Sequence, residues 1–585
     1  MRSSNIRYIL TIAVLALAVP LSFAPNMSWE KITPAQFVLA DLEDSIIPDM
    51  PLRKTFSGSY LSARFAQRHQ DWETAQTYMS DVTTYDPDNI AMIQRAFLLT
   101  LGAGHFDSAK ILAEKIAALN GDADLAQIFL AASAIRSHDY TAALKYLSTL
   151  PDDGFGQFTK PLMTAWAMTG MGKRVEAIAL LDARASDDDP SFHVHAGFME
   201  EISGSKTLAA SHYQTALEQG VEMHTALAIA NFYERAGAPK IAAEIAAGLD
   251  RLYSFKPFLS TLKARQMTLP QAEIKDAADG ASMALFDLAT LLYGKRAYES
   301  AKVYASLSLL LNPKSACARM MLGDIEFQQR QFDKSTAYYE GVDVSSAVHW
   351  LSRLRVAEVY DIGGNSDKAI AVLTALSDQP GLRMPAMAAL GDLYRRHEMN
   401  AEAVGAYDVA LNDIGAAQAE HWSVIYARGL AKSQMKDWNP AEKDILQALN
   451  FQPKNPMILN FIAYNWANQG INLDRALDYA RQASALKPDD GYILDSYGWT
   501  LFRMKQYQDA IGWLERAVEA VPGDPTMLDH LGDAYWMAGR KNEANYQWRQ
   551  AKDLSADAGF GDALQQKLKS GISAETFSAQ HQAGL

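Results

Sequence analysis

Three short stretches decide the fold: Asp71-Trp-Glu-Thr-Ala75, His105-Phe-Asp-Ser-Ala109 and Asp139-Tyr-Thr-Ala-Ala143. Each is a polar residue, an aromatic, two variable residues and an alanine, and the three alanines are evenly spaced by 34 residues. A further step lands on Ala177, with less regular copies at Ala209 and Ala242. A second series runs through Ala301, Ser335, Ala369 and Ala403; after insertions it resumes at Ala441, Ala476, Ala510 and Ala544. About fourteen copies result, and a fixed period of this length marks an array of stacked supersecondary units.

Twelve residues before many of these anchors stands a small residue: Ala63, Gly197, Gly323, Ala357, Gly391, Gly429, Gly498 and Gly532. Phe97 and Ala463 mark less regular copies, the latter with one extra residue in its turn. An aromatic often follows three residues later (Tyr360, Tyr394, Tyr535). Downstream, Tyr407 or Trp548 precedes another small residue such as Ala410, Ala517 or Ala551. Pro87, Pro313, Pro453, Pro488 and Pro522 then end the second helix, because proline has no amide hydrogen to continue it. Each unit is thus two amphipathic helices whose backbones approach closely at a Gly or Ala, with an aromatic filling the adjacent gap. One such hairpin cannot bury its own apolar face, so neighbours must stack.

The pattern resembles the tetratricopeptide repeat (TPR) over most of residues 56–554. The resemblance implies an all-α fold, a TPR α-solenoid in which antiparallel hairpins form a right-handed superhelix, here in two sub-arrays. It also implies that the first helix of each hairpin lines a concave groove. The rhythm fails around residues 249–282. The expected organisation is an export signal or signal anchor at 1–24 and an extended lead-in at 25–55. An N-terminal array follows at 56–249, an irregular helical connector at 250–281, a C-terminal array at 282–554, and a terminal helix with flexible tail at 555–585. The segments Asp490–Trp499 and Leu528–Trp536 resemble exported TPR proteins of alphaproteobacteria, which implies an envelope scaffold.

The N-terminus places Arg2 and Arg7 before an apolar run from Tyr8 to Ala24, the charge order of a bacterial export signal. Ser22-Phe-Ala24 suits a peptidase but is followed by Pro25, and Val38-Leu-Ala40 lies far from the run. The run is also near the lower length limit for spanning a bilayer, so an uncleaved anchor is the alternative. Both outcomes predict a periplasmic protein, either secreted or tethered to the inner membrane.

Composition narrows the function classes. Hydrophobic residues make up 49% and charged residues 21% of 585, which suits a chain with ample core. The net charge is −14 with no concentrated Lys/Arg stretch, which argues against nucleic acid. A single cysteine, Cys317, excludes a disulfide framework and any multi-cysteine metal site. Gly170-Met-Gly-Lys173 lacks the rest of a phosphate loop and reads as a hairpin turn. Asp187-Asp-Asp189 with His193 and His195 is the most metal-like constellation, but Asp-Pro after a helix is ordinary turn chemistry. Neither an enzyme, a cofactor nor a metal is expected.

Function therefore falls to the groove. Read off the last repeats, the groove positions are Asn460, Tyr464 and Asn468; Tyr492, Asp495, Trp499 and Arg503; and Asp529, Asp533 and Trp536. Helical spacing puts each set on one face. Aromatic rings beside Asn and Asp suit a peptide, whose backbone those polar groups satisfy. The expected partner is a protein or peptide segment, basic or apolar, because Asp495, Asp529 and Asp533 stand where cations would be needed to grip an acidic tail. Arg395 and Arg396 show that the groove is zoned. Trp499 and Trp536 either face this groove or plug gaps between hairpins. An alternative is a glycan or cell-wall polymer stacked on the same aromatics.

Overall fold

The computed structural model describes residues 55–119, 124–152, 156–185, 189–250, 272, 274–346, 348–413 and 419–573. The segment expected to direct export (1–24), nearly all of the expected lead-in, most of the expected connector and the tail from 574 lie outside the described residues. Among those described, the regular elements are helices, mostly of 12 to 14 residues, and no β-strand occurs. No described helix is long and apolar enough to cross a membrane.

Each hairpin is closed by the same local device. Asp71 and Asp139 cap their following helices by accepting from the amides of Thr74 and Ala142. Just before the cap, one residue adopts a left-handed backbone. Gln70, Gly104, His138 and Gly172 do so at one repeat position, as do Arg296, Arg330, Gly364 and Glu398 further on. The turn that ends the first helix requires that conformation. Glycine adopts it freely, whereas other residues do so at a cost of roughly 1–2 kcal/mol.

The small residue and the aromatic meet as the repeat requires. A Cβ at Gly197, Gly323 or Gly391 would stand 2.5 Å from the ring of Tyr213, Tyr339 or Tyr407, and one at Gly532 would stand 2.5 Å from Trp548. Those rings also carry a polar lock. Tyr339 donates to Asp324 at 2.5 Å, Tyr407 to Asp392 at 2.6 Å and Trp548 to Asp533 at 3.0 Å. In all three the acceptor directly follows the repeat glycine, so the first helix satisfies the buried polar end of the second helix's aromatic.

Packing divides the chain into two compact units, one comprising the described residues up to Leu249 together with those from 274 to Val372, the other beginning at Leu373. This differs from the sub-array boundary expected near 250–281. The reason lies in the helices Ala277–Gly294 and Tyr298–Leu311. The first of them packs against Asp124–Arg136, Gly156–Gly170 and Ser191–Ile202, and the second against Ile90–Gly102 and Asp124–Arg136. All four of those are first helices of earlier hairpins. Helix Ala277–Gly294 is buried on every side, as expected of a helix that is apolar all round. A Cβ at Gly280 would lie 2.2 Å from the indole of Trp166. The first unit therefore closes its own concave face around a hairpin from its own chain.

Candidate partner-binding groove

In the first unit the groove is already occupied, and its polar groups are spent on the occupant. Asp287, the acidic residue in the middle of helix Ala277–Gly294, receives His195 Nε2 at 3.0 Å and His224 Nε2 at 2.8 Å. Trp166 Nε1 donates to His195 Nδ1 at 2.9 Å, so the hydrogen of His195 is on Nε2 and points at Asp287. Burial opposes ionisation of Asp287, but the hydrogen bonds from the two imidazoles prevail and hold its carboxyl at about 2. On the next helix Lys302 is buried, with Glu326 at 2.6 Å and the ring of Trp72 4.9 Å beneath its ammonium. Charges this deep must be paired, and these are.

The metal-like residues of the sequence are dispersed by this arrangement. His195 belongs to the Asp287 network. Asp189 accepts from the Ser191 amide at 2.9 Å, ordinary cap chemistry. Asp187 and its neighbour 188 lie outside the described residues. Gly170 lies under the ring of Tyr140 and Gly172 has φ +80°, which makes Gly170–Lys173 a hairpin turn.

The second unit holds the ten groove residues read from the sequence, and it treats them unequally. Tyr492 is exposed; Asn460, Tyr464, Asn468, Arg503 and Trp536 are half-buried; Asp495, Trp499, Asp529 and Asp533 are buried. Trp499 is only 1% exposed. Its ring stacks on Phe502 (4.9 Å between centroids) and on His530 (3.9 Å), and its Nε1 donates to Asn468 Oδ1 at 2.7 Å. Arg503 donates to the Asn468 carbonyl at 2.6 Å. Trp499 is thus a plug between hairpins, the second of the two roles expected for it. Trp536 is covered too: its Nε1 donates to the Ile572 carbonyl at 2.9 Å, and Gly571 lies against its ring.

The three aspartates are engaged by the chain itself. Asp495 accepts from His530 Nδ1 at 3.0 Å. Helix Ala558–Ser570 brings Lys567 Nζ to 2.7–2.8 Å from all four carboxylate oxygens of Asp529 and Asp533. Burial and the neighbouring Asp529 push the Asp533 carboxyl up to about 7, against the pull of Lys567. Burial disfavours the Lys567 ammonium, yet the two carboxylates win and raise it to about 12. The cation expected from a basic partner is supplied internally.

Two participants escaped the sequence reading. Lys567 follows Asp533 by 34 residues, one repeat period, so extending the series past Ala544 would have placed it on the next first helix. His530 adjoins Asp529 but falls between the groove positions. On helix Pro456–Gln469 Asn460 and Tyr464 are half-buried: Asn460 Oδ1 is itself buried with no hydrogen-bond partner among the described residues, and the Tyr464 ring stands 6.4 Å from His530. Tyr492, 42% exposed, opens the following helix.

A family model described as "Tetratricopeptide repeat" matches residues 472–525, three helices of this same unit. The chain is built of tetratricopeptide repeats. It is 27% identical over 218 residues to the TPR repeat-containing protein PA4667 of Pseudomonas aeruginosa, a match covering 37% of this chain and 36% of that one. It is 26% identical over 152 residues to the small glutamine-rich tetratricopeptide repeat-containing protein 2 of Mycosarcoma maydis, covering 26% and 41%. The chain thus spans well under half the length of either relative. Among solved structures, the APC/C hetero-tetramer Cut9–Hcn1 aligns over 89% of this chain and 97% of that one at 12% identity and a TM-score of 0.36. The repeats support a protein–protein interaction scaffold.

Proposed function

We propose that this TPR protein is an interaction scaffold of the bacterial cell envelope, exported or anchored through residues 1–24, which holds a partner segment on the first helices of its second unit. The observation that supports the reading is the half-buried face of helix Pro456–Gln469. It carries an aromatic ring at Tyr464 and a buried side-chain carbonyl, Asn460 Oδ1, that no group among the described residues satisfies. A buried carbonyl without a donor costs about 1–3 kcal/mol, and a partner's backbone amide relieves that cost once the side-chain amide turns outward. The first unit, by contrast, has spent its groove on the hairpin 277–311.

The partner that fits is an apolar peptide segment. The case for a basic one rested on Asp495, Asp529 and Asp533, and His530 and Lys567 already neutralise them. A glycan would have to stack on Tyr492 or Tyr464, because Trp499 is buried against Phe502 and His530. The test is affinity capture of the full chain from cells, followed by binding measurements with each captured protein. Asn460→Ala/Tyr464→Ala is expected to weaken a reproducible envelope partner at least tenfold. Unchanged affinity in that variant contradicts the site. A phosphatase fused after residue 60 that stays inactive contradicts export.

A further inference from the structure

We propose that Asp182, His193 and His212 form a binding site for a divalent first-row transition-metal ion. The three come from consecutive helices of the first unit: Asp182 ends helix Arg174–Asp182, His193 opens Ser191–Ile202, and His212 lies mid-way along Lys206–Gln219. One ligating atom from each lies within 4.8 Å of the other two. The imidazole centroids of His193 and His212 are 5.8 Å apart with their planes inclined by 34°.

The chemistry of the donors selects the ion. Two imidazoles and one carboxylate suit zinc, cobalt or nickel, whereas calcium and magnesium require oxygen ligands. Three protein ligands also leave a fourth position for water, the arrangement of an open zinc site. Bonds of about 2.0–2.1 Å place tetrahedral ligands roughly 3.4 Å apart, so the set must contract by up to about 1.4 Å. Asp182 is exposed, so its side chain has room to swing in.

A second observation points the same way. His193 Nδ1 is buried and has no hydrogen-bond partner, which costs free energy unless something binds there. None of the three residues takes part in the Asp287 network. The bound ion would tie the second helix of one hairpin to both helices of the next.

The test is calorimetric titration of the metal-free full chain with Zn2+, with Co2+ absorption reporting the ligand set. One equivalent is expected in the wild type. His212→Ala should lose it at least tenfold and Asp182→Asn several-fold. His105→Ala, which removes the exposed imidazole paired with Glu73, should leave it unchanged. Melting of metal-free His212→Ala checks that the variant folds; should it not, Asp182→Asn decides, since its exposed side chain bears on no packing. The absence of a binding equivalent in the wild type, or wild-type affinity in the Asp182 and His212 variants, overturns the site.

Discussion

Replacing Lys567 by methionine isolates the closure of the C-terminal groove. The ammonium touches four carboxylate oxygens at 2.7–2.8 Å, and its removal leaves Asp529 and Asp533 buried together without a counter-charge. Breaking a buried ion pair from one side costs about 3–5 kcal/mol. The cost must depend on pH. Asp533 is already pushed up to about 7, above its unfolded value, so the folded state binds a proton that the unfolded state has released. Stability from such a group is fully present below the unfolded value and is lost as pH rises through the folded one. With Lys567 gone that value rises further, so between pH 8 and pH 6 the variant gains up to about 2.7 kcal/mol from its bound proton while the wild type, at about 7, gains about 1.4 kcal/mol. Lys567→Met should therefore lower the unfolding free energy of the second unit by about 3–5 kcal/mol at pH 8 and by roughly 1 kcal/mol less than that at pH 6. Denaturant melts at both values, with hydrogen exchange read over 525–570, measure this. A variant as stable as wild type at pH 8, or one whose loss is the same at both pH values, refutes the reasoning.

Gly532→Leu and Gly498→Leu drive a side chain into Trp548 and Leu514, where even a Cβ would stand 2.5 or 2.6 Å away; each should cost at least about 1–3 kcal/mol, and unchanged melting curves would show the hairpin register to be wrong. Asp287 is depressed to about 2 from an ordinary 3.8, so its contribution is present above pH 4 and is lost as pH falls towards 2, roughly 2 kcal/mol in all. Asp287→Asn should remove that acid-dependent part of the first unit's stability, as followed by pH-dependent melting. Tyr407→Phe deletes the 2.6 Å bond to Asp392 while keeping the ring over Gly391, and should cost about 1 kcal/mol by denaturant titration.

The repeat was legible because its signal is covalent spacing. A glycine or alanine recurs at 34-residue steps, and the ring that covers it follows at a fixed distance, so each hairpin could be read from local residues alone. The filled groove was not legible that way. The period shows that the hairpin 277–311 is a repeat, but which groove it enters depends on contacts across more than a hundred residues. A trace existed in the all-round apolar character of Ala277–Gly294, interrupted by Asp287, a charge that needs His195 and His224. The C-terminal cluster shows the same limit. Periodicity placed Asp495, Trp499, Asp529 and Asp533 on first helices, where they are. It could not reveal that His530 and Lys567 meet the acids, or that the aspartate after a repeat glycine serves the aromatic of its own hairpin. Asp533 does for Trp548 what Asp324 does for Tyr339.

The most direct test of the proposed division of labour is photo-crosslinking in cells with a benzophenone residue placed at one position of the full chain at a time. Tyr464 samples the first-helix face of the second unit, and Arg549 the exposed side of a second helix in the same unit. The account predicts a discrete set of envelope-protein adducts from position 464 and none of them from 549. The same adducts from both positions, or none from 464, would contradict it.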